Sequence, residues 1–368
     1  MGGQPQPVSS SKGILASAER HPGFLTLLYH DQASYQTRGY DVWVRPARSP
    51  SGKSLAALQV PWLIQQASRL PYLRRLGRLW VRELIRVDGD YLVAAARKSL
   101  IRIHRDTGEM QEVLQVQNGG RPKGLAVSPD GWVFSGEYWN NPQRQPLRIW
   151  GSGDAGQSWE LLHSLPQGSS KHIHNLVWDD YRRGIWVVTG DGDGECAFFF
   201  TPDHFRTVTE VARGGQYLRA CNLFCRPEGL YYGTDSERAP NYLMFFDTDS
   251  LQPQKIQPLP GSCIYAARMA NRYVITTSVE PSKINHYRSA VLWSSTDLHH
   301  WESILEIEKD WMPGEYFGFG SLLLPRIQGD CPVVMFTALA VKSFDFTTFI
   351  LDPAQLDGVS GNQAHGHS

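Results

Sequence analysis

The sequence predicts an all-β fold, a β-propeller of four-stranded antiparallel blades. The count is seven, with six blades plus an N-terminal cap as the alternative. Three observations lead there. Asp-bearing turns recur at Asp106, Asp154, Asp203, Asp249 and Asp297, a period of about 47 residues. Each period repeats the same order of short apolar runs. The composition, with 12 Trp, 15 Tyr, 34 Gly and 23 Pro in 368 residues, suits many short strands joined by turns.

Taken in order, "FLTLLYHD", "GYDVWVRP" and "KSLAALQVP" near Phe24–Pro61 read as strands two to four of a first blade. Later periods open on "GLAVS" from Gly124, "NLVWD" from Asn175, "NLFCR" from Asn222 and "AARMA" from Ala266. Second strands follow a turn, as in "GWVFSGE", "GIWVVTGD", "GLYYGTD" and "RYVITTS". The third run ends at the Asp turn, and the fourth follows it, as in "SWELLHSLP". At the far end "GSLLLPRI", "CPVVMFTAL" and "SFDFTTFILD" lack a fourth strand, so the N-terminal segment is expected to supply it and close the ring. Residues 14–353 then form one domain, with disordered ends at 1–13 and 354–368.

One stretch departs from strand grammar. "PWLIQQASRLPYLRRLGRLW" (Pro61–Trp80) sets Arg69, Arg74, Arg75 and Arg78 among leucines and reads as a helical insertion broken at Pro71. It suits a basic amphipathic helix on a membrane surface or a protein partner. The expected arrangement is plainer, an insertion that packs its leucines on the propeller.

Lys+Arg and Asp+Glu balance at 36 each, which argues against coating nucleic acid by bulk charge. Cys196, Cys221, Cys225, Cys263 and Cys331 show neither zinc spacing nor a disulfide ladder. "MGGQPQPVSSSKG" has no apolar core of a secretion signal, and no apolar run reaches membrane-span length. The expected compartment is the cytoplasm.

Ser152-Gly153-Asp154-Ala155-Gly156-Gln157-Ser158-Trp159 resembles the Asp-box, S-x-D-x-G-x-[ST]-W, or BNR repeat of sialidases and other propellers. Ser295-Thr296-Asp297-Leu298-His299-His300-Trp301 is similar to a shorter form of it. In this motif the Asp accepts backbone N–H groups, Gly156 takes positive φ, and Trp159 packs between sheets. The box therefore holds the turn between strands three and four and is not catalytic. The resemblance implies a sialidase-like propeller, with Arg82, Arg219 and Arg268 or Arg288 imitating an arginine triad and Tyr265 or Tyr316 the tyrosine. The early R-I-P segment of sialidases is absent, and their activity is not carried across.

Antiparallel alternation puts strand-one starts and strand-two ends on one face, opposite the Asp-box turns. Strand-one starts offer Arg82, Glu83, Lys123, His172, His174, Arg219, Tyr265 and Tyr316. Strand-two ends offer Glu137, Asp191, Asp193, Glu195, Asp235, Glu237 and Glu280, with Tyr138, Trp139 and His286-Tyr287-Arg288 just beyond. In "KHIHN", His172 and His174 are two apart and point to one face of a strand.

Acid–base chemistry assigns His174, His172, Asp191, Glu137 and Tyr265 as candidate catalytic groups. Lys123, Arg219, Asp193, Asp235, Arg268, Glu280, Tyr316 and Trp139 are candidates for binding substrate. No cofactor is expected, although His172, His174 and Asp191 have the donor types of a zinc, manganese or iron site. This set suits an oligo- or polysaccharide carrying charge. It fits a glycoside hydrolase using paired carboxylates, or a lyase that removes the proton alpha to a uronate carboxylate. A non-catalytic propeller that binds a glycan or protein, as a scaffold or assembly factor, is the alternative.

Overall fold

Short runs with both faces apolar become strands packed between neighbouring sheets, and runs with alternating polarity become rim strands. The computed structural model describes residues 11–46, 49, 51–116 and 121–357. Seven antiparallel sheets follow one another around a ring. Blade 1 is Leu25–His30, Ala33–Arg38, Asp41–Pro46 and Lys53–Ala57. Blade 2 is Glu83–Arg86, Tyr91–Ala96, Ser99–His104 and Met110–Gln115. Blade 3 is Arg121–Val127, Val133–Tyr138, Leu147–Ser152 and Glu160–Leu165. Blade 4 is His172–Asp179, Gly184–Gly190, Ala197–Thr201 and Thr209–Arg213. Blade 5 is Phe224–Arg226, Gly229–Gly233, Asn241–Asp247 and Gln252–Leu259. Blade 6 is Ser262–Met269, Arg272–Ser278, Ser289–Ser295 and Glu302–Glu308. Blade 7 joins Ser321–Leu323, Val334–Leu339 and Thr347–Leu351 to Glu19–Pro22.

Glu19–Pro22 pairs antiparallel with Thr347–Leu351, so the N-terminal segment closes the ring as expected. The strand assignment of blade 1 differs from the expectation. "FLTLLYHD" holds strand one rather than strand two, and the polar run Ala33–Arg38 is the strand passed over. "GSLLLPRI" also divides. Ser321–Leu323 is the inner strand of blade 7, while Arg326–Gln328 crosses over and pairs parallel with Leu25–His30 of blade 1. The expected disordered ends lie mostly outside the described residues. Their described parts, Ser11–Ser17 and Ala354–Asp357, are helical.

The core lies between blades. Gly184–Gly190 and Val334–Leu339 are buried at every position, while Met110–Gln115 and Gln252–Leu259 face solvent in part. Between blades 3 and 4, Phe134, Ile173 and Val187 share one buried cluster. Burying a side chain such as Phe134 contributes roughly 2–3 kcal/mol.

The Asp154 turn shows why its residues come in that order. Ser152 Oγ donates to Asp154 Oδ1 at 2.7 Å, and the N–H groups of Gln157 and Ser158 donate to the same oxygen at 3.1 and 2.9 Å. Gly156 takes φ +79°. The Trp159 indole donates to the Gly156 carbonyl at 3.1 Å. Against the opposing effect of burial, these bonds hold the Asp154 carboxyl at about 2. Asp203 repeats the pattern, accepting Thr207 N–H and Oγ1–H, each at 2.8 Å.

The insertion forms two helices, Trp62–Arg69 and Pro71–Gly77, with the break at Pro71. Its faces are the reverse of the expectation. Arg74 and Arg75 are buried at 1% and 2% exposure, whereas Leu63, Leu70, Leu73 and Leu76 are exposed. The arginines turn inward because acceptors wait there. Arg74 donates to the carbonyls of Ser68 and Gly23, and Arg75 to the Phe317 carbonyl and the Asp310 carboxylate.

Candidate functional site

The channel along the ring axis holds a cavity of about 1300 Å³. It is lined by strand-one residues of several blades, including Arg82, Arg121, Lys123, His174 and Tyr265. Blade 4 contributes His174 to this lining, backed by a cluster of polar side chains. His172 opens the inner strand opposite Gly190, and Asp191 directly follows that glycine. Strict alternation is broken here, since His174 is an extra residue between the Ile173–Thr189 and Asn175–Val188 pairs. Such bulges re-aim side chains next to sites. Similar register shifts lie at the channel in the inner strands of blades 1, 3 and 6. Gly190 leaves room for the ring, because a Cβ there would come within 2.6 Å of His174 Cε1.

Asp191 gathers four partners. Its Oδ1 lies 3.2 Å from both His172 Nε2 and His174 Nε2 and 3.1 Å from Arg219 Nη2. Its Oδ2 accepts Lys171 Nζ at 3.0 Å. Burial works against the charge, but the histidine bonds and Arg219 hold the carboxyl far below its ordinary range. Burial pushes His172 down. On their other side the rings meet backbone carbonyls, with His174 Nδ1 at 2.9 Å from Ala220 O and His172 Nδ1 at 3.3 Å from Trp139 O. A neutral imidazole has a single N–H, so each ring donates to both its acceptors only as the imidazolium.

Blades 5 and 6 continue the acidic side. Asp235 is buried and accepts the Cys221 thiol at 3.3 Å through Oδ2, while its Oδ1 has no hydrogen-bond partner. Burial and Asp235 keep Cys221 a thiol. Arg219, 6% exposed, leaves Nε and Nη1 without hydrogen bonds. Burial and the neighbouring Asp235 push Glu280 up to about 7. Burial takes Tyr265 to about 12, despite the opposing charges of Lys123 and Arg82.

Blades 2 and 3 form the opposite, cationic side. Arg82 stacks on Trp80 with its guanidinium 4.4 Å from the ring centroid, and Lys123 Nζ lies 4.2 Å from that of Tyr138. Among the described residues, Arg82, Arg121 and Lys123 have no ion pair with a carboxylate. The nearest acid on this side, Glu83, is engaged by the Gly124 and Leu125 N–H groups and by Arg326 at 3.6 Å. Burial, with Arg121 and Arg78 nearby, lowers Arg82 to about 9.

The remaining candidates fall elsewhere. Glu137 is buried within blade 3, where its carboxylate accepts the Trp150 indole at 3.2 Å and the Arg148 N–H at 3.3 Å. Trp139 meets His172 through its carbonyl and packs its ring on the core between blades 3 and 4. Asp193 is exposed and accepts Gln216 Nε2 at 2.7 Å. Arg268 lines the channel three residues beyond Tyr265, beside Met269 and Asn271 towards the other face. Tyr316 is exposed on the short helix Gly314–Phe317, outside the channel. Lys171, Arg121 and Cys221 are site residues that strand-start reasoning omitted. The first two sit in "SKHIHN" and "RPKG", one or two positions before residues it selected.

Two sets of donors approach within 4.8 Å of one another: His172, His174 and Asp191, and His174, Cys221 and Asp235. Their atom types suit a divalent ion. At the first set the Arg219 guanidinium already supplies positive charge to the Asp191 oxygen that would coordinate.

No family model matches the sequence, and no curated protein matches it. Its fold is similar to several solved structures. A selenomethionine-substituted virginiamycin B lyase from Staphylococcus aureus aligns at 12% identity and TM-score 0.59, over 91% of this chain and 99% of that one. A streptogramin B lyase aligns at 11% identity and TM-score 0.52, over 92% and 99%. A chain of the mitotic checkpoint complex aligns at 10% identity and TM-score 0.56, over 95% and 96%. At these identities the likeness is one of fold, the seven-bladed propeller.

Proposed function

We propose that the channel mouth binds a carboxylate-bearing glycan of the uronate type and cleaves it by β-elimination. The observation that carries this reading is the division of the mouth. Three cations without carboxylate partners among the described residues, Arg82, Arg121 and Lys123, line one cavity with His174, whose ring meets the Asp191 carboxylate behind it. Such cations neutralise the substrate carboxylate and stabilise the enolate that forms when the adjacent C–H is broken.

His174 is the base. Donation of Nδ1–H to Ala220 O leaves Nε2 to take the proton, and the imidazolium so formed has an acceptor at each nitrogen. The C–H electron pair becomes the new C=C bond, and the C–O bond to the leaving sugar breaks. Tyr265, whose hydroxyl is protonated at neutral pH, delivers a proton to the departing oxygen. Asp191 stabilises the His174 imidazolium once it forms, and Arg219 and Lys171 hold Asp191.

The order of residues in the Ser152–Trp159 turn supports grouping the chain with Asp-box propellers of carbohydrate chemistry. All five cysteines are free, which supports a reducing, cytoplasmic setting. No helix among the described residues is long and apolar enough to cross a membrane.

The test is incubation with a panel of polyuronate oligosaccharides while following the ultraviolet absorbance of the unsaturated product. His174→Ala and Tyr265→Phe are expected to abolish it, and Lys123→Ala to raise KM more than it lowers kcat. Binding in calorimetry with no unsaturated or hydrolysed product from any substrate would replace this reading with the non-catalytic one.

A further inference from the structure

The helices Trp62–Arg69 and Pro71–Gly77 connect the outer strand of blade 1 to the inner strand of blade 2. Antiparallel alternation places that connection on the face where inner strands begin, which is the face of the channel mouth. The connection from blade 6 to blade 7 crosses the same face. Its helix Gly314–Phe317 packs against Pro71–Gly77, and the buried Arg75 clamps the two through Phe317 O, Asp310 and Asp345. The outer side of this double insertion is apolar. Trp62 is 70% exposed, Leu63 72% and Trp311 85%, with Leu73, Leu76 and Tyr316 also in the open.

Charge identifies what covers this surface. Pro61–Trp80 contains no Asp or Glu. Arg38, Arg69, Arg78, Arg97 and Lys98 are exposed around it, on the insertion and on the turns that end second strands of blades 1 and 2. Of these, Arg69 pairs with Asp41 at 3.5 Å, and Glu315 is the exposed acid beside Tyr316. A second copy of the same face would set arginine against arginine. A bilayer with anionic headgroups offers negative charge at its surface and an apolar layer just beneath. Trp and Tyr suit that boundary, having large apolar rings with one polar atom each.

We propose that this face docks on an anionic membrane surface, with Trp62, Leu63, Leu73, Leu76, Trp311 and Tyr316 entering the headgroup region and the basic rim meeting lipid phosphates. The channel mouth then opens towards the bilayer. The proposal stands apart from the glycan chemistry, since none of these side chains belongs to the acid–base group.

The experiment is co-sedimentation of the full chain with vesicles of phosphatidylcholine alone and of phosphatidylcholine with phosphatidylglycerol, alongside light scattering to give its mass in solution. The wild type is expected to pellet with the anionic vesicles and to show a blue shift in tryptophan emission. Leu73→Asp combined with Leu76→Asp should weaken binding by about tenfold or more, and Arg97→Glu with Lys98→Glu should remove the preference for anionic lipid. These side chains are exposed, so unchanged thermal melting will show that the variants fold. A wild type that stays in the supernatant with both vesicles overturns the proposal, as does pelleting that the leucine variant leaves intact. Self-association of the wild type that the leucine variant abolishes, without vesicle binding, would assign the surface to a second copy instead.

Discussion

Asp154 and Asp191 are both carboxylates held down by several donors, yet they are assembled in opposite ways. Every donor to Asp154 lies within four residues, so the whole device is contained in one turn. The donors to Asp191 come from Lys171, His172 and His174 on one strand and its lead-in, and from Arg219 in the approach to the next blade. The first aspartate needs only its own turn to form. The second needs two blades in register, and it leaves a buried guanidinium with unfilled hydrogen bonds.

Removing the non-local carboxylate should do the most damage. Asp191→Asn strips the counter-charge from buried Arg219 and is expected to cost about 3 kcal/mol or more in urea unfolding, with loss of any elimination activity. Stability equal to wild type would mean that Asp235 alone suffices for Arg219.

Glu280 sharpens the contrast as an acid whose surroundings favour the proton. Its folded value of about 7 exceeds the ordinary 4.5, so the folded chain binds this proton more tightly. The contribution is most favourable below about pH 4.5, declines as pH rises towards 7, and remains at its lower level above that. Glu280→Gln should therefore flatten stability across this window and add roughly 2 kcal/mol near pH 8, read by denaturation at a series of pH values. An unchanged pH profile would show that Glu280 ionises at its ordinary value.

Asp154→Ala should cost less, about 1–2 kcal/mol, and leave activity at the channel untouched. Ser158→Ala removes one exposed donor to Asp154 and should cost about 0.5 kcal/mol. If either turn variant impaired turnover while the melting temperature held, the two aspartates would not be separable as described.

The same division explains what could be read in the sequence. Blades 3 to 6 and their Asp turns were legible because period and turn chemistry are local. The strand Ala33–Arg38 was not, because its buried Gln36 is satisfied by His21 at 2.7 Å and Thr26 at 3.1 Å, partners on other strands. Arg74 and Arg75 read as a solvent face for a similar reason, since Gly23, Asp310 and Phe317 are remote in sequence. At the candidate site, His172, His174, Asp191 and Arg219 were selected from strand ends. The bulge at His174, which brings the second ring to the same oxygen, is a property of the pairing and leaves no mark in residue order.

The closing strand Glu19–Pro22 has a consequence for synthesis. Its partner, Thr347–Leu351, is made after the strands of the other six sheets, so a growing chain carries an orphan strand while those sheets form. The nascent propeller is a strip with two open ends until Thr347–Leu351 leaves the ribosome. An interruption of translation before Thr347 thus produces six sheets and no closed ring.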